Sequence, residues 1–574
     1  MATATAEGRP SIFARLAPRE LLRPQTLIIL AVVLTVAYLA VVPLGYLLWG
    51  TFFDEGGFTL RFFGEAYSQI PLTELLGNSF TFAIGSTTIS VVLGTTLAYL
   101  QARTDVPFKR LVFAASLVPL IIPGILHTVA WILLFSPEIG VLNAWLEPVF
   151  GPRAFNVYSM PGMIWVEGLH LSPLVFLLMS AAFRSMDPSL EESALMSGAR
   201  MRTVIRRITL PLVVPALSAA ILVMMVRVLE AFEVPAILGI RAREWVFVSR
   251  IYESLDDFPP KYGEGGALAM SLLLLTSVGV LIQSRLSRRG KAFQTVTGKG
   301  FRPRGLPLGR RRWPAAGLVF VYFLVAVVMP VLVLIYSSLL PFYAEPSAEQ
   351  FSRFTLENYV ATFTRPHTLN AFKNSLVLGI GSATAVMFFM AIASWLVVRT
   401  RLPGRWLVDN LAFSPLAIPG LVMGVALLFV YLRFPLPIYG TLWILFLAYC
   451  TRYMPYGMRY SSSSMVQISG ELEESAQTSG ASWWQTFRRV NLPLLMPGLI
   501  AGWIYIVLVS FRELSSSILL YSPGNEVLSI VIWERWENGQ FTQLAALGMV
   551  MVATLVVLVV LATRLGARIG VKEH

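Results

Sequence analysis

Arg227, Glu230 and Glu233 stand three residues apart inside an otherwise apolar stretch, and Arg512-Glu513 occupies the corresponding place in a later one. The apolar stretch before the first set adds Glu167 and His170. A spacing of three aligns side chains along one side of a helix, and ionisable groups inside hydrocarbon face a partner or a water-filled cavity. Two chemistries suit such a set. Alternating acids and bases can line a translocation pathway near its outer gate and hand on a hydrated or carried ion without gripping it. The same residues can instead pair between helices and fix register. Pairing accounts for each residue alone, whereas the cluster as a whole fits the pathway. His170 and His127 also fit as histidines satisfied within a packed core or interface. The sequence assembles no Ser/His/Asp arrangement, no His-x-x-x-His pair and no paired catalytic carboxylates, so a catalytic site is not expected.

The elements that must position these groups follow from composition. Of 574 residues, 56% are apolar and 13% charged, with a mean hydropathy of +0.68, whereas a soluble domain carries roughly 25% charged residues. The chain is therefore expected to be an integral membrane protein. Apolar runs of the about 20 residues that cross a bilayer fall near 27–49, 78–100, 111–135, 160–183, 211–238 and 266–284, then near 315–338, 374–398, 407–430, 440–459, 493–520 and 541–563. Lipid forces each segment to satisfy its own backbone, and the alternating pattern of a membrane barrel is missing, so an all-α fold of about twelve transmembrane helices is expected. Pro119, Pro123, Pro415 and Pro419 are expected to kink or break their helices, either for a moving pore or as static kinks that aid packing. The single cysteine, Cys450, excludes an intramolecular disulfide, and with four histidines in the chain a dedicated transition-metal cage is not expected.

The net charge of +13 lies mostly between apolar runs, where basic residues set topology and do not call for nucleic acid. The stretch from Arg285 to Arg312 holds ten basic residues and no acid. It is expected to be cytoplasmic, as are both termini, with binding to anionic membrane lipid as a secondary role. The loop 51–76 carries Asp54, Glu55, Glu65 and Glu74 against Arg61 alone, as an outer loop should. Arg9, Arg15, Arg19 and Arg23 precede a first apolar run that reaches Trp49 without an A-x-A-like cleavage site, so that run is expected to be retained as a span. The expected divisions are a cytoplasmic segment 1–26, a first repeat 27–284, a basic linker 285–312, a second repeat 313–564 and a cytoplasmic tail 565–574.

The chain also repeats a motif. Glu192, Ala194, Gly198, Leu210 and Pro211 recur as Glu474, Ala476, Gly480, Leu492 and Pro493, 282 residues later. Asn78-Ser79, Arg103-Thr104, Pro107 and the Pro119/Pro123/Gly124 set recur at an offset of 296 as Asn374-Ser375, Arg399-Thr400, Pro403 and Pro415/Pro419/Gly420. Six spans per unit keep the two copies parallel, related by an axis along the membrane normal. In the first motif loop, 187–211, Asp187 reads as an N-cap with Pro188 at the first helical position and Glu191 and Glu192 at the positive end of the dipole. Leu190 and Ala194 share a face, Gly198 ends the helix in a left-handed turn, and a second short helix runs through Arg206 and Arg207. The second loop, 469–493, repeats this with Ser469 as cap, Leu472 and Ala476 as face, and Gly480 as stop. Each loop is expected to be a compact helix-turn-helix knob just outside the membrane.

This pattern resembles the EAA loop of bacterial type I ABC importer permeases. The departures are Ser193 and Ser475 at the middle alanine and Val490 at an isoleucine. The resemblance implies the MetI-like permease fold in two six-helix repeats in the bacterial inner membrane. It also implies that Glu192, Ala194, Gly198, Leu210, Pro211 and their second-half counterparts couple the spans to two copies of a separate ABC ATPase, which would bind ATP and Mg. The fused twelve-span form, with Thr297-Gly298-Lys299-Gly300, Phe232-Glu233-Val234-Pro235 and Phe511-Arg512-Glu513-Leu514, resembles the ferric iron branch. Fused thiamine and 2-aminoethylphosphonate permeases look similar, and polyamine permeases are related.

No G-x-x-x-x-G-K-S/T phosphate loop occurs, so the ATPase must be another subunit. The rival is an ion-coupled secondary transporter with parallel six-span halves, which gives no reason for two motif loops. A sensor scaffold would need a span-free signalling domain, and no segment is long enough. The expected mechanism is alternating access, with a periplasmic or lipid-tethered solute-binding protein landing on 51–76, 240–262 and 341–372. No cofactor is expected in the chain itself.

Overall fold

The structure is a computed structural model that describes residues 24–290 and 306–568, apart from 188, 403, 435 and 436. Arg9, Arg15, Arg19 and Arg23, Pro188, Pro403, the Thr297-Gly298-Lys299-Gly300 stretch with most of the basic linker, and the tail from 569 lie outside the described residues.

Nine helices of the first half recur in the same order in the second. They are α1 (Pro24–Phe52), α2 (Leu72–Arg103), α3 (Lys109–Leu117), α4 (Gly124–Phe135), α5 (Met160–Ser185), α6 (Ser189–Met196), α7 (Leu210–Leu229), α8 (Phe247–Asp256) and α9 (Tyr262–Gly290). Their counterparts are α10 (Gly309–Ser338), α11 (Pro366–Arg399), α12 (Arg405–Phe413), α13 (Gly420–Arg433), α14 (Leu442–Gln467), α15 (Glu471–Thr478), α16 (Leu492–Phe511), α17 (Leu528–Glu537) and α18 (Phe541–Arg568).

Among the described residues nine helices are long and apolar enough to cross a membrane. The other three expected spans depart from that form for identifiable reasons. Both third spans are broken, not single helices: α3 meets α4 at 97° and α12 meets α13 at 109°. Pro123 and Pro419 supply no N–H and force the preceding residue out of the helical region, and Ile418 accordingly adopts φ −99°, ψ 116°. The third departure, α14, spans 26 residues, roughly 39 Å at 1.5 Å per residue, but carries Arg452, Arg459 and four consecutive serines. The fifth spans also stop earlier than expected, at Leu229 and Phe511, and the chain then folds back through the buried short helices α8 and α17.

The first helix of each half leaves its own half. α1 packs on α9 and reaches across to α12 and α13, while α10 packs on α18 and reaches across to α4. Tyr38 and Tyr431 share a hydroxyl hydrogen bond of 2.9 Å, Ser172 and Tyr322 another of 2.9 Å, and the Tyr343 hydroxyl donates to the carbonyls of Leu133 and Ile139 at 3.1 and 3.0 Å.

Within each half the tightest pairing is between the second and fourth spans, and each places glycine at the crossing, as membrane helices do to bring backbones together. In the first half it is Gly94 on α2, where an added Cβ would lie 2.6 Å from the Ser172 carbonyl oxygen and 2.6 Å from Val175 Cβ. In the second half the roles reverse: Met390 on α11 fills the place of Gly94, and Gly457 on α14 stands where Val175 did. A Cβ on Gly457 would lie 2.5 Å from Val386 Cγ1 and 3.0 Å from Met390 Cγ.

The Gly94→Ala substitution should therefore cost about 1–3 kcal/mol by overpacking, read as a lower unfolding midpoint of the purified protein in detergent. Gly45→Ala, where nothing lies within 4 Å of the new Cβ, should leave the midpoint unchanged or raise it slightly.

Candidate functional site

The two motif loops fold alike. Asp187 accepts the Ser189 N–H at 2.9 Å, and this bond holds its carboxyl below the usual aspartate range. In the second loop Ser469 Oγ accepts the Glu471 N–H at 3.4 Å. Both short helices end in the same pair of crossed bonds: Ala199 N–H to the Ala194 carbonyl and Gly198 N–H to Leu195, both at 3.0 Å, then Ala481 to Ala476 at 3.1 Å and Gly480 to Gln477 at 2.9 Å. This is the Schellman stop, which needs a left-handed residue, and Gly198 and Gly480 supply it with φ of +83° and +88°.

Beyond each stop the chain departs from the expected helix-turn-helix. The helix through Arg206 and Arg207 is not separate: Met201–Val204 runs through a wide π turn, Ile205–Thr209, straight into α7, and Trp483–Thr486 does the same through Phe487–Asn491 into α16. Each π turn precedes Leu210-Pro211 or Leu492-Pro493. An extra residue per turn absorbs the hydrogen bond and the ring volume that proline denies an α-helix. The part of each loop beyond the glycine turn is therefore continuous with the fifth span.

The glutamates that anchor the knobs are Glu191 and Glu473, each one residue before the motif glutamate. Glu191 is fully buried and pairs with Arg103 at the end of α2. Its other oxygen accepts from Thr209 at the start of the fifth span. Glu473 pairs with Arg399 at the end of α11, N to O 2.8 Å, and accepts from Trp395 Nε1 at 3.0 Å. Each arginine also caps the end of the fourth span by donating to a backbone carbonyl, Met186 in one half and Ile468 in the other. By contrast the side chains of Glu192 and Glu474 make no hydrogen bond or ion pair among the described residues, and Glu474 is exposed. Beside them Leu190, Met196 and Leu472 expose 48%, 90% and 47% of their surface, an apolar edge turned away from the bundle.

At the other candidate site, α5, α7, α14, α16, α18 and both broken third spans line a cavity of about 490 Å³ between the halves. It brings together five of the seven predicted residues: His170, Arg227, Glu230, Arg512 and Glu513. Glu167 and Glu233 are not on its wall, although Glu233 lies just behind it, beside His170 and the start of α4 at Gly124. Arg227, Glu230 and Glu233 do not share one helical side as expected. α7 ends at Leu229, Glu230 caps it from just beyond, and Glu233 opens the next helical segment. Arg512 and Glu513 likewise follow the end of α16.

The cavity groups form a network. Arg227 donates to the Tyr456 hydroxyl at 2.9 Å and faces Glu230 at 3.9 Å. Arg452 pairs with Glu513 at 3.0 Å, which also accepts from Tyr453 at 3.2 Å and from Ser516. Arg512 donates to the Leu120 carbonyl across the half boundary. Glu230 Oε1 and His170 Nδ1 are buried without a hydrogen-bond partner among the described residues; unsatisfied groups of this kind beside a cavity suit a polar occupant. His127 is fully buried within α4, and its Nε2 accepts from Trp131 at 3.2 Å.

The residue that sequence reasoning misses is Arg452. It stands 282 positions after His170, as Arg512 does after Glu230. Applying the repeat offset to His170 would have found it. Room for it comes from Gly420, where a Cβ would fall 2.0 Å from the Arg452 guanidinium.

Residues 86–291 and 392–570 match the family described as binding-protein-dependent transport system inner membrane component. A Fe(3+)-transport system permease protein of Haemophilus influenzae, FbpB 2, is 26% identical over 475 residues, covering 82% of this chain and 85% of its own. A ferric transport system permease protein, FbpB of Actinobacillus pleuropneumoniae, is 24% identical over 92% of this chain and 77% of its own. A protein named for 2-aminoethylphosphonate transport, PhnV of Salmonella paratyphi A, is 30% identical but covers 46% of this chain and 98% of its own. A solved bacterial ABC transporter involved in alginate import aligns with 46% of this chain and 97% of its own at 19% identity and a TM-score of 0.36.

Removing one partner of a buried ion pair strands the other, at a cost of about 3–5 kcal/mol. Arg103→Met should therefore lower the unfolding midpoint markedly, and Arg103→Met with Glu191→Met should recover most of the loss. Glu192→Gln, with no partner to strand, should change stability by less than about 0.5 kcal/mol.

Proposed function

The chain belongs to the family of binding-protein-dependent transport system inner membrane components, and from that premise we propose that it forms the translocation pathway for ferric iron. As a multi-pass permease subunit of an ABC importer it is a transport component of the inner membrane. The observation that carries the iron reading is the extent of likeness: relatives named for Fe(3+) or ferric transport align through both halves of this fused chain, whereas the phosphonate-named relative spans about one half. The higher identity of that relative favours 2-aminoethylphosphonate as the second reading.

In the proposed cycle, a periplasmic binding protein delivers the solute to the outer loops 51–76, 240–262 and 341–372, with both chain termini on the cytoplasmic side. Two copies of an ABC ATPase bind ATP and Mg and grip the knobs at 187–211 and 469–493. The exposed apolar edge of Leu190, Met196 and Leu472 supports the grip. The unbroken run from each knob into the fifth span supports the transmission. Closure of the ATPases selects the outward-open packing of the bundle, and the solute passes Arg227, Glu230, Arg512, Glu513 and His170, with Glu167 and Glu233 behind them.

Gly198→Pro with Gly480→Pro removes the N–H that closes each Schellman stop and demands a φ that proline cannot adopt. The doubly substituted chain should insert normally, while uptake and the stimulation of ATPase by loaded binding protein fall to background. Retained uptake would refute the coupling role. In proteoliposomes holding the permease with its ATPase, radiolabelled iron delivered by the binding protein should accumulate only with ATP. Accumulation of 2-aminoethylphosphonate instead would select the second reading, and uptake driven by an ion gradient without ATP would overturn both.

A further inference from the structure

The mouth of the second half carries a side-chain cluster that the first half lacks. His367 sits at the start of α11, Glu526 in the loop entering α17, and Glu534 within α17. One donor atom from each lies within 4.8 Å of the other two. α11 runs from this cluster to Arg399, so the cluster is roughly 48 Å, at 1.5 Å per residue, from the clamp that holds the second knob. It lies on the face opposite both knobs.

The geometry suits a metal ion. Imidazole or carboxylate donors bind first-row transition ions at roughly 2.0–2.2 Å, which places neighbouring donors about 3 Å apart, and His367 Nε2 and Glu534 Oε2, hydrogen-bonded to each other at 2.9 Å, already stand at that spacing. Glu526 is 7% exposed. One of its oxygens accepts the Gly524 N–H at 3.0 Å, and among the described residues no lysine or arginine pairs with it. A buried carboxylate without a cation is costly, and a bound metal ion would supply the missing charge. His367 and Glu534 are 49% and 27% exposed at the side chain, so the open coordination positions face outward.

The internal duplication removes the alternative that the fold requires these residues. Their first-half counterparts are Pro71, Glu244 and Tyr252, which retain a single ligand on the same scaffold. A cage made of histidine and cysteine alone is not available in this chain, and here two carboxylates complete the set. One imidazole with two carboxylates favours iron, manganese or zinc over the all-oxygen sites of calcium and magnesium.

We propose that His367, Glu526 and Glu534 bind one first-row transition-metal ion at the outer mouth of the second half. The site stands on its own geometry; only its use as a first stop for transported metal rests on the ferric iron reading.

The test uses the full, tag-free chain in lipid nanodiscs without partner subunits, equilibrated separately with ferric nitrilotriacetate, Mn²⁺ and Zn²⁺, and bound metal counted by mass spectrometry after gel filtration. One ion per chain is expected for at least one metal. Its affinity should fall at least tenfold in Glu526→Gln and in His367→Ala, the second a half-exposed position that tolerates truncation, and should be unchanged in Glu537→Gln, an acid outside the cluster. No bound metal in the unaltered chain, or equal affinity in the His367→Ala and unaltered chains, overturns the proposal. Uptake measured in parallel separates the two ideas: metal bound here without iron uptake leaves the site standing and removes the iron reading, and iron uptake with a metal-free cluster does the reverse.

Discussion

Two ion pairs, one fully and one largely buried, hold the two motif loops to the helix bundle. Arg103 with Glu191, and Arg399 with Glu473, tie each knob to the inner end of a second span, and the same arginines cap the fourth span. A guanidinium is suited to this because it presents several donors in fixed directions. The free edge of each knob is apolar and open, while its inner edge is charged and closed. A force applied at the open edge is therefore shared at once by the second, fourth and fifth spans, and does not bend a loose loop. The wide turns before Pro211 and Pro493 keep the fifth span continuous with the knob, which completes the linkage.

The central cavity has a different character. The duplication preserved positions there and altered charges: Arg452 stands at the repeat position of His170, and Arg512 at that of Glu230. The two halves thus offer unlike surfaces to whatever lies between them. Its wall combines three arginines, two glutamates and three tyrosines, mostly engaged with one another at 2.9–3.9 Å. Groups already paired can exchange a partner for a passing solute at modest cost. The breaks at Pro123 and Pro419 bring loop backbone to this depth, where irregular chain is tolerated because it borders a cavity and not lipid.

Much of this was legible in the chain. The helical class, the order of spans, the duplicated loops and the stop at Gly198 and Gly480 rest on local pattern, and local pattern is what a sequence displays. Which of two adjacent glutamates is buried does not. Glu191 is chosen by Arg103, 88 residues away, and only the joint recurrence of Arg103 and Glu191 in the second half hints at it. The spacing of Arg227, Glu230 and Glu233 suggested one helical side, but helix periodicity cannot report that the helix ends at Leu229. Arg452 escaped notice because it stands inside a span with no acid nearby in sequence; its partner Glu513 arrives from beyond the end of the fifth span.

The crossing of α1 and α10 bears on how the chain is made. Most surfaces that cover α1 belong to α9, α12 and α13, and α13 ends at Arg433. At roughly 5–20 residues per second, ribosomes complete that partner some 20–80 seconds after α1 has emerged. Until α9 is complete, roughly 12–48 seconds after α1 at that rate, the helix must sit in lipid without these neighbours, and its mean hydropathy of 2.8, like the 3.1 of its counterpart, is high enough for solitary insertion. Part of the cover of α1 is therefore made long after the helix itself, so a translation arrest before α12 and α13 would leave an inserted but unclosed nascent bundle.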